Sequence, residues 1–272
     1  MIFLRPDDAR GQIGQAKRSP RLARITVCAL VLIAADFSAT PGRALEADCA
    51  AADFCRGCKD LADELTARIQ RHIADGKSAQ EIADLEGGGS ILRSRIEVWA
   101  EQHPQAVKPD RRRLKYRGSS LQHNLLFSAY ARCIKVNGIC LGTDKLGHLF
   151  QQGWEYYKIS VLDGKGDALA ERYGEWLEGK ESREHYGQDE AYFRQQPSGR
   201  AVGYGGFGRN ISGVISHADL AASKAGLQLY KDISQHRFKR FADYVSDAFC
   251  EEKNLNDYTP AMRRIVEQNG RR

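Results

Sequence analysis

Apolar residues return at every fourth position in Leu61, Leu65, Ile69 and Ile73, a stripe that predicts a helix over residues 54–75, stopped by Gly76. The same reading continues along the chain. A short helical segment is expected at 78–85, a break at Gly87-Gly88-Gly89, and a further helix from 90 to 102 that Pro104 and Pro109 close off. Leu121, Leu125, Ala129 and Cys133 share a face, so a helix capped by Ser119 or Ser120 is predicted to run to Val136. Helices are also expected over 143–157, 167–178, 216–233 and 235–249. Alternating apolar and polar positions, the mark of a half-buried strand, are nearly absent. The polar, glycine-rich stretch from 187 to 213 reads as a long ordered loop or a short hairpin around GYGGFGRN. The fold class expected is therefore mainly α: one helical bundle domain with a glycine-rich loop.

The start of the chain changes this picture. Arg5, Arg10, Lys17, Arg18, Arg21 and Arg24 precede an apolar run, Ile25 to Phe37, and small residues follow at Gly42 and Ala44. Basic, apolar and small segments in that order make a secretory signal, cut after Ala44 or, as a second option, Ala47. The apolar run falls short of the roughly 20 residues that span a bilayer. The expected organisation is a cleavable leader over 1–44 and one exported helical domain over 45–272, in which 45–105 could form a subregion. The leader takes 7 basic and 3 acidic residues with it, so 34 Lys and Arg against 32 Asp and Glu leave the rest at +2, not the +6 of the whole chain. A nearly neutral domain carries no nucleic-acid signature.

Six cysteines remain beyond Cys28, and an even number in an exported protein predicts disulfides. Cys133 and Cys140 flank the turn signal Asn137-Gly138, so a local bridge between them is the expected pair. Cys49, Cys55, Cys58 and Cys250 would then bridge among themselves or tie the N-terminal to the C-terminal region. Cys55 and Cys58 have C-x-x-C spacing, but no strand-turn-helix setting precedes them and no second such pair completes a zinc site.

Lys108, Arg111, Arg112, Arg113, Lys115 and Arg117 crowd into ten residues. Such a run suits an anionic membrane surface or glycan, and it equally suits a solvated loop. Only Tyr116 is interleaved for stacking.

The candidate chemistry lies in Gly142 to Tyr157. Asp144, His148, Gln151 and Glu155 recur at helical spacing and would share one face. An imidazole flanked by carboxylates can act as a base or hold a divalent metal such as zinc. The bland alternative has Thr143 as an N-cap, Asp144 at the positive end of the helix and Glu155 paired with Lys158. Farther on, Ser216 and Asp219 stand in the S-x-x-D arrangement of a helix cap, with His217 expected exposed beside it. Ala221, Ala222, Ala225 and Gly226 follow, small enough for close helix packing. Glu178, with Glu181, Glu184 and His185, offers another carboxylate, although the run reads as a solvated turn. No G-x-S-x-G, H-E-x-x-H, Walker or dinucleotide pattern is present.

Asp144-Lys145-x-x-His148 with Ser216-x-x-Asp219-Leu220-x-Ala222 resembles the D-K-x-x-H and S-x-x-D-L-x-A-N signatures of YfiM-like bacterial envelope lipoproteins and, more distantly, of VanZ-like membrane proteins. The likeness covers Thr143 to Tyr230. Ser223 stands where the signature has Asn, and no lipobox precedes a cysteine. The resemblance implies that Asp144, His148 and Asp219 converge, and it implies no reaction. Two functions follow as expectations. The first is a non-catalytic envelope protein of structural or binding role. The second is a metal-assisted or acid-base hydrolase of an envelope phospholipid or glycan, with His148 and Asp144 catalytic and Glu155 and Asp219 as further metal ligands.

Overall fold

The structure is a computed structural model describing Cys49 and residues 55–90, 93–109, 114–119 and 131–270. Residues 1–44, expected to form a leader, with Cys28 among them, Arg111, Arg112, Arg113 and the middle of the helix predicted from Ser119 or Ser120 lie outside the described residues. What is described is mainly helical, with three small antiparallel strand pairs. Among the described residues, no helix is long and apolar enough to cross a membrane.

The predicted stripe of Leu61, Leu65 and Ile69 is buried along α1, Ala62–Ala74. Ser78 then forms a complete capping box with Glu81 at the start of α2, Ala79–Ile82. The helix expected from residue 90 starts later. Strands β1 (Gly89–Ser90) and β2 (Arg93–Ser94) pair first, and α3 (Arg95–Gln102) begins only where the Ser94 hydroxyl accepts from Glu97 N–H. Leu61, Leu65 and Ile69 belong to the same apolar core as residues as far along the chain as Phe249, while Tyr116, Val214 and Met262 form a separate cluster.

The predicted helix reaching Val136 is overturned at its end. Cys133–Val136 is strand β3, paired with β4, Ile139–Gly142. Asn137 at φ 53° and Gly138 at φ 77° turn the chain between them, the left-handed pair that a two-residue hairpin requires. Both amides of that turn donate to the Asp60 carboxylate, which also accepts from Ala62 N–H at the start of α1. One side chain thus fixes the hairpin against the first helix.

The expected Cys133–Cys140 bridge is also overturned. Cys49 bonds Cys133 and Cys55 bonds Cys140, while Cys58 and Cys250 remain thiols. The register explains this: Cys133 lies opposite Gly142 and Cys140 opposite Lys135, so the two cysteines are neighbours along the hairpin face without being partners. Each is met by a cysteine from the segment before α1.

The central element is α4, residues 144–162, which alternates α-helical segments (Asp144–Gly147 and Gly153–Tyr157) with π-helical ones (His148–Gln152 and Lys158–Leu162). Thr143 makes no side-chain cap, contrary to expectation. α5, Asp167–Glu178, follows and ends on Gly179 in the left-handed conformation at φ 70°.

The expected loop over 187–213 contains two short helices, α6 (Asp189–Phe193) and α7 (Pro197–Val202), the second with proline in its first turn. Its glycine-rich part is not a free loop. Gly205, Phe207 and Arg209 donate backbone N–H groups to the carbonyls of Trp176, Leu177 and Glu178, satisfying the exposed end of α5.

Strand β5, Val214–Ile215, leads into α8, His217–Ser234, and pairs with β6, Asp257–Tyr258, ahead of α9, Pro260–Gly270. The helix expected over 235–249 does not form. Phe241–Tyr244 and Asp247–Phe249 are single 3-10 turns, and Phe241, Tyr244, Val245 and Phe249 are buried. Partners elsewhere take up this segment's backbone: Thr66 Oγ1 accepts from Phe241 N–H, Gln70 donates to the Lys239 carbonyl, and Asn137 donates to those of Ala242 and Val245. Long-range contacts here override an apolar spacing that resembles a helix.

α4 and α8 cross where glycines face each other. A Cβ on Gly226 would lie 1.9 Å from the Leu149 carbonyl oxygen and 2.8 Å from Gly153 Cα, and one on Gly153 would lie 2.5 Å from Gly226 Cα. Gly226→Ala is therefore expected to lose about 1–2 kcal/mol in denaturant unfolding. Overpacking costs about 1–3 kcal/mol, and alanine's ~1 kcal/mol better helix propensity offsets only part of it. An unchanged midpoint would mean that the helices separate freely at this crossing.

Candidate functional site

At the start of α4, Lys145 is fully buried and its ammonium is shared by three carboxylates. Nζ lies 2.7 Å from Asp144 Oδ2, 2.6 Å from Asp219 Oδ1 and 3.1 Å from Glu251 Oε1. These acids come from α4 itself, from the first turn of α8 and from the segment after the last 3-10 turn. Burying an ammonium is tolerable only with this degree of pairing. Glu251 is held in turn by Lys115 Nζ at 2.9 Å and by the Tyr116 hydroxyl, which donates at 3.5 Å. Asn256 donates to the same hydroxyl. Lys115 also lies over the Tyr116 ring, and Arg117 donates to Asn269. Those two members of the basic run are therefore engaged within the fold, while Lys108 is exposed.

Asp219 reaches this position because Ser216 caps α8 as expected, its Oγ accepting from Asp219 N–H at 3.2 Å. The Asp219 carboxylate then points two ways: Oδ1 at the Lys145 ammonium and Oδ2 at His148 Nε2, 3.3 Å away. Beside it lies Glu178, buried at the end of α5, where one carboxylate oxygen accepts from Ser216 N–H at 3.4 Å. The expected solvated turn at Glu178 is overturned, because the glycine-rich segment folds over it. A Cβ on Gly208 would stand 2.4 Å from Glu178 Oε2, so only glycine lets the backbone come this close. Ligand atoms of His148, Glu178 and Asp219 all lie within 4.8 Å of one another.

His148 is the one partly open member, with 17% of its side chain exposed and its ring edge-on to Phe207 of the glycine-rich segment. It opens on a narrow cleft of about 10 Å³, walled by Gln152, Leu177, Phe207 and Ser223 as well as the two acids. Gln152 is 5% exposed, and its Nε2 donates to Ser198 while Oε1 takes no hydrogen bond among the described residues.

Burial raises Glu178 well above the ordinary glutamate range, and the charge on Asp219 adds to this. Asp219 goes the other way: burial opposes its ionisation, but His148 and Lys145 together hold it below the usual aspartate value. Asp144 is raised, by burial first and then by Asp219 and Glu251, against the pull of Lys145. Glu97 approaches α4 where Gly147 leaves room, since a Cβ there would meet Glu97 Oε2 at 2.8 Å. Burial, then the charges of Asp144 and Glu101, push Glu97 well above its ordinary value.

The structure thus brings together Asp144, His148 and Asp219 from the two sequence motifs, and it keeps Glu155 apart. The Glu155 carboxylate accepts from Tyr173 Oη at 2.6 Å and from Ser198 Oγ at 2.7 Å, with Ser198 N–H at 3.1 Å, so it anchors the start of α7. It does not form the expected pair with Lys158. Gln151 also leaves the predicted face, donating to the Ser90 carbonyl. The physical reason is the π-helical segment His148–Gln152: its wider turn breaks the 100° per residue on which a shared face depends. His217, expected exposed, is half-buried with Nε2 2.9 Å from Asp257 Oδ2. No single-sequence signal could have joined Glu251 to Lys145, since 106 positions separate them.

No family model, curated protein or solved structure matches this chain, so what the site does rests on its own geometry.

Proposed function

We propose that the chain is an exported cell-envelope protein of binding or structural role and not an enzyme. The observation that carries this reading is the size of the cleft at His148. Pockets that take small organic ligands run to about 300–1,000 Å³. The cleft here holds about 10 Å³, room for a single ion or water and too little for a glycan or a phospholipid headgroup. Behind it, Lys145 and its three carboxylates act as a clamp, joining α4, α8 and the 251–256 segment.

The two disulfides support the export half of the reading, because such bonds persist in oxidising compartments. The leader pattern over 1–44 and the resemblance to YfiM-like lipoproteins point the same way. With Lys115 and Arg117 engaged, an anionic surface would be met by Lys108 with Arg111, Arg112 and Arg113.

One observation favours the second reading, a metal-assisted or acid-base hydrolase. Glu178 and Asp219 are pushed in opposite directions, an arrangement that can keep one carboxyl as acid and the other as base.

The two readings part in one assay, in which the full chain is incubated with phospholipid vesicles and with envelope glycans beside its His148→Ala variant. Neither protein is expected to release product. Turnover by the unaltered chain that His148→Ala abolishes would overturn the binding role in favour of the hydrolase.

A further inference from the structure

We infer that His148, Asp219 and Glu178 form a binding site for one divalent transition-metal ion of the zinc class, seated at the inner end of the cleft. The inference deepens the binding role above and rests on it. Its first support is the spacing of the donors. Zinc binds imidazole nitrogen and carboxylate oxygen at about 2.0–2.1 Å, and the edge of a tetrahedron of that radius is about 3.3–3.4 Å. His148 Nε2 and Asp219 Oδ2 are 3.3 Å apart, the separation of two ligands on one such ion. Glu178 offers a third oxygen inside the same 4.8 Å circle.

The second support is independent of these acids. Gln152 is almost fully buried and lines the cleft, and its Oε1 has no hydrogen-bond partner among the described residues. A buried amide oxygen left unpaired costs about 1–3 kcal/mol. An ion at His148, or a water bound to that ion, would supply the missing partner. A water in the fourth position also suits the 17% exposure of His148, which leaves a path for exchange.

Charge points the same way. Asp144, Asp219, Glu251, Glu178 and Glu97 converge on this end of α4, against the ammonium groups of Lys145 and Lys115 and the Arg93 guanidinium that acts on Glu97. Lys145 occupies only one oxygen of Asp219, which orients the other toward the imidazole. A partner that fixes a ligating carboxylate in this way typically matters to metal affinity by 10–100-fold. Magnesium and calcium prefer more oxygens and larger cages, so a site with one imidazole, two carboxylates and little space selects a zinc-like ion.

The test is calorimetric titration of the chelator-stripped full chain with Zn2+, and separately with Mg2+ and Ca2+. Co2+ replaces Zn2+ in a parallel sample, so that visible absorption reports tetrahedral coordination. One Zn2+ per chain is expected, with Mg2+ and Ca2+ not competing. His148→Ala and Glu178→Gln should each weaken zinc at least about 100-fold, more than the loss of an outer-shell partner. The Cys58→Ser/Cys250→Ser double variant should bind as the parent does.

Circular dichroism of the stripped variants separates loss of a ligand from loss of the fold, and His148→Gln replaces His148→Ala if the latter unfolds. Zinc that survives both site variants, or that disappears with the two thiols, overturns the inference. So does the absence of stoichiometric binding in the parent, which leaves the non-catalytic role standing, since that role falls only to turnover in the hydrolysis assay.

Discussion

Lys145→Met is expected to lower the unfolding free energy by about 3–5 kcal/mol, the cost of removing one partner from a buried charge cluster. Methionine fills much of the same space, so the loss would come from charge and not from a cavity. Asp144, Asp219 and Glu251 would each lose the ammonium that lies 2.6–3.1 Å away, and Glu251 alone would keep a second one, that of Lys115. For a chain of this size the corresponding fall in melting temperature is about 6–20 °C. The pH dependence carries a sign that packing alone would not produce. In the variant Asp144, which burial already raises and Lys145 most strongly opposes, should titrate still further above its unfolded value. The native state then binds more protons than the unfolded state, and stability falls as pH rises through that window. The penalty of Lys145→Met should therefore be smallest near pH 4 and grow toward neutrality. A loss below about 1 kcal/mol, equal at both ends of the range, would show that Lys145 is not the electrostatic centre of the fold.

Lys145 also marks where the sequence stops being legible. Local features read well: the four-residue stripe of α1, the Asn137-Gly138 turn and the Ser216 cap each depend on neighbours within a few positions, and propensity and spacing decide them. The small residues before Gly226 anticipate the close crossing with α4 for the same reason. A lysine in a polar stretch, by contrast, looks like any solvated lysine. Its burial depends on Glu251 and Asp219, which arrive from distant parts of the chain. Glu178 misleads in a similar way, since a carboxylate next to a glycine and a lysine reads as surface until residues 205–209 fold across it. The supposed common face of Asp144, His148, Gln151 and Glu155 fails for a subtler reason. Spacing predicts a face only for a regular α-helix, and the π-helical turn at His148–Gln152 is not written in the apolar pattern.

The second large effect is expected at the cysteines, where the sequence suggested a short local bridge and the structure has two long ones. Removing Cys55–Cys140 as the Cys55→Ser/Cys140→Ser double variant should cost about 3 kcal/mol while Cys49–Cys133 holds, and removing both bridges about 7 kcal/mol. A bridge spanning 85 residues restricts the unfolded chain far more than one spanning the 7 from Cys133 to Cys140 would. The chain-entropy relation gives about 4.5 kcal/mol for the longer loop and roughly 2 kcal/mol for the shorter. Cys49–Cys133 spans 84 residues and would be worth nearly as much alone, but the two bridges close almost the same loop. With one in place, the other constrains only the short stretches between their ends. Breaking both should therefore cost more than twice the loss from breaking one, since only the second break releases the long loop, in denaturant unfolding of the single-bridge and bridge-free variants at equal pH. Fully additive losses would mean that each bridge stabilises through its own native contacts. The register of β3 against β4 makes that test clean: Cys133 and Cys140 share a hairpin face without facing each other, so neither can re-pair across the strands without shifting the ladder that places Thr143 and Lys145.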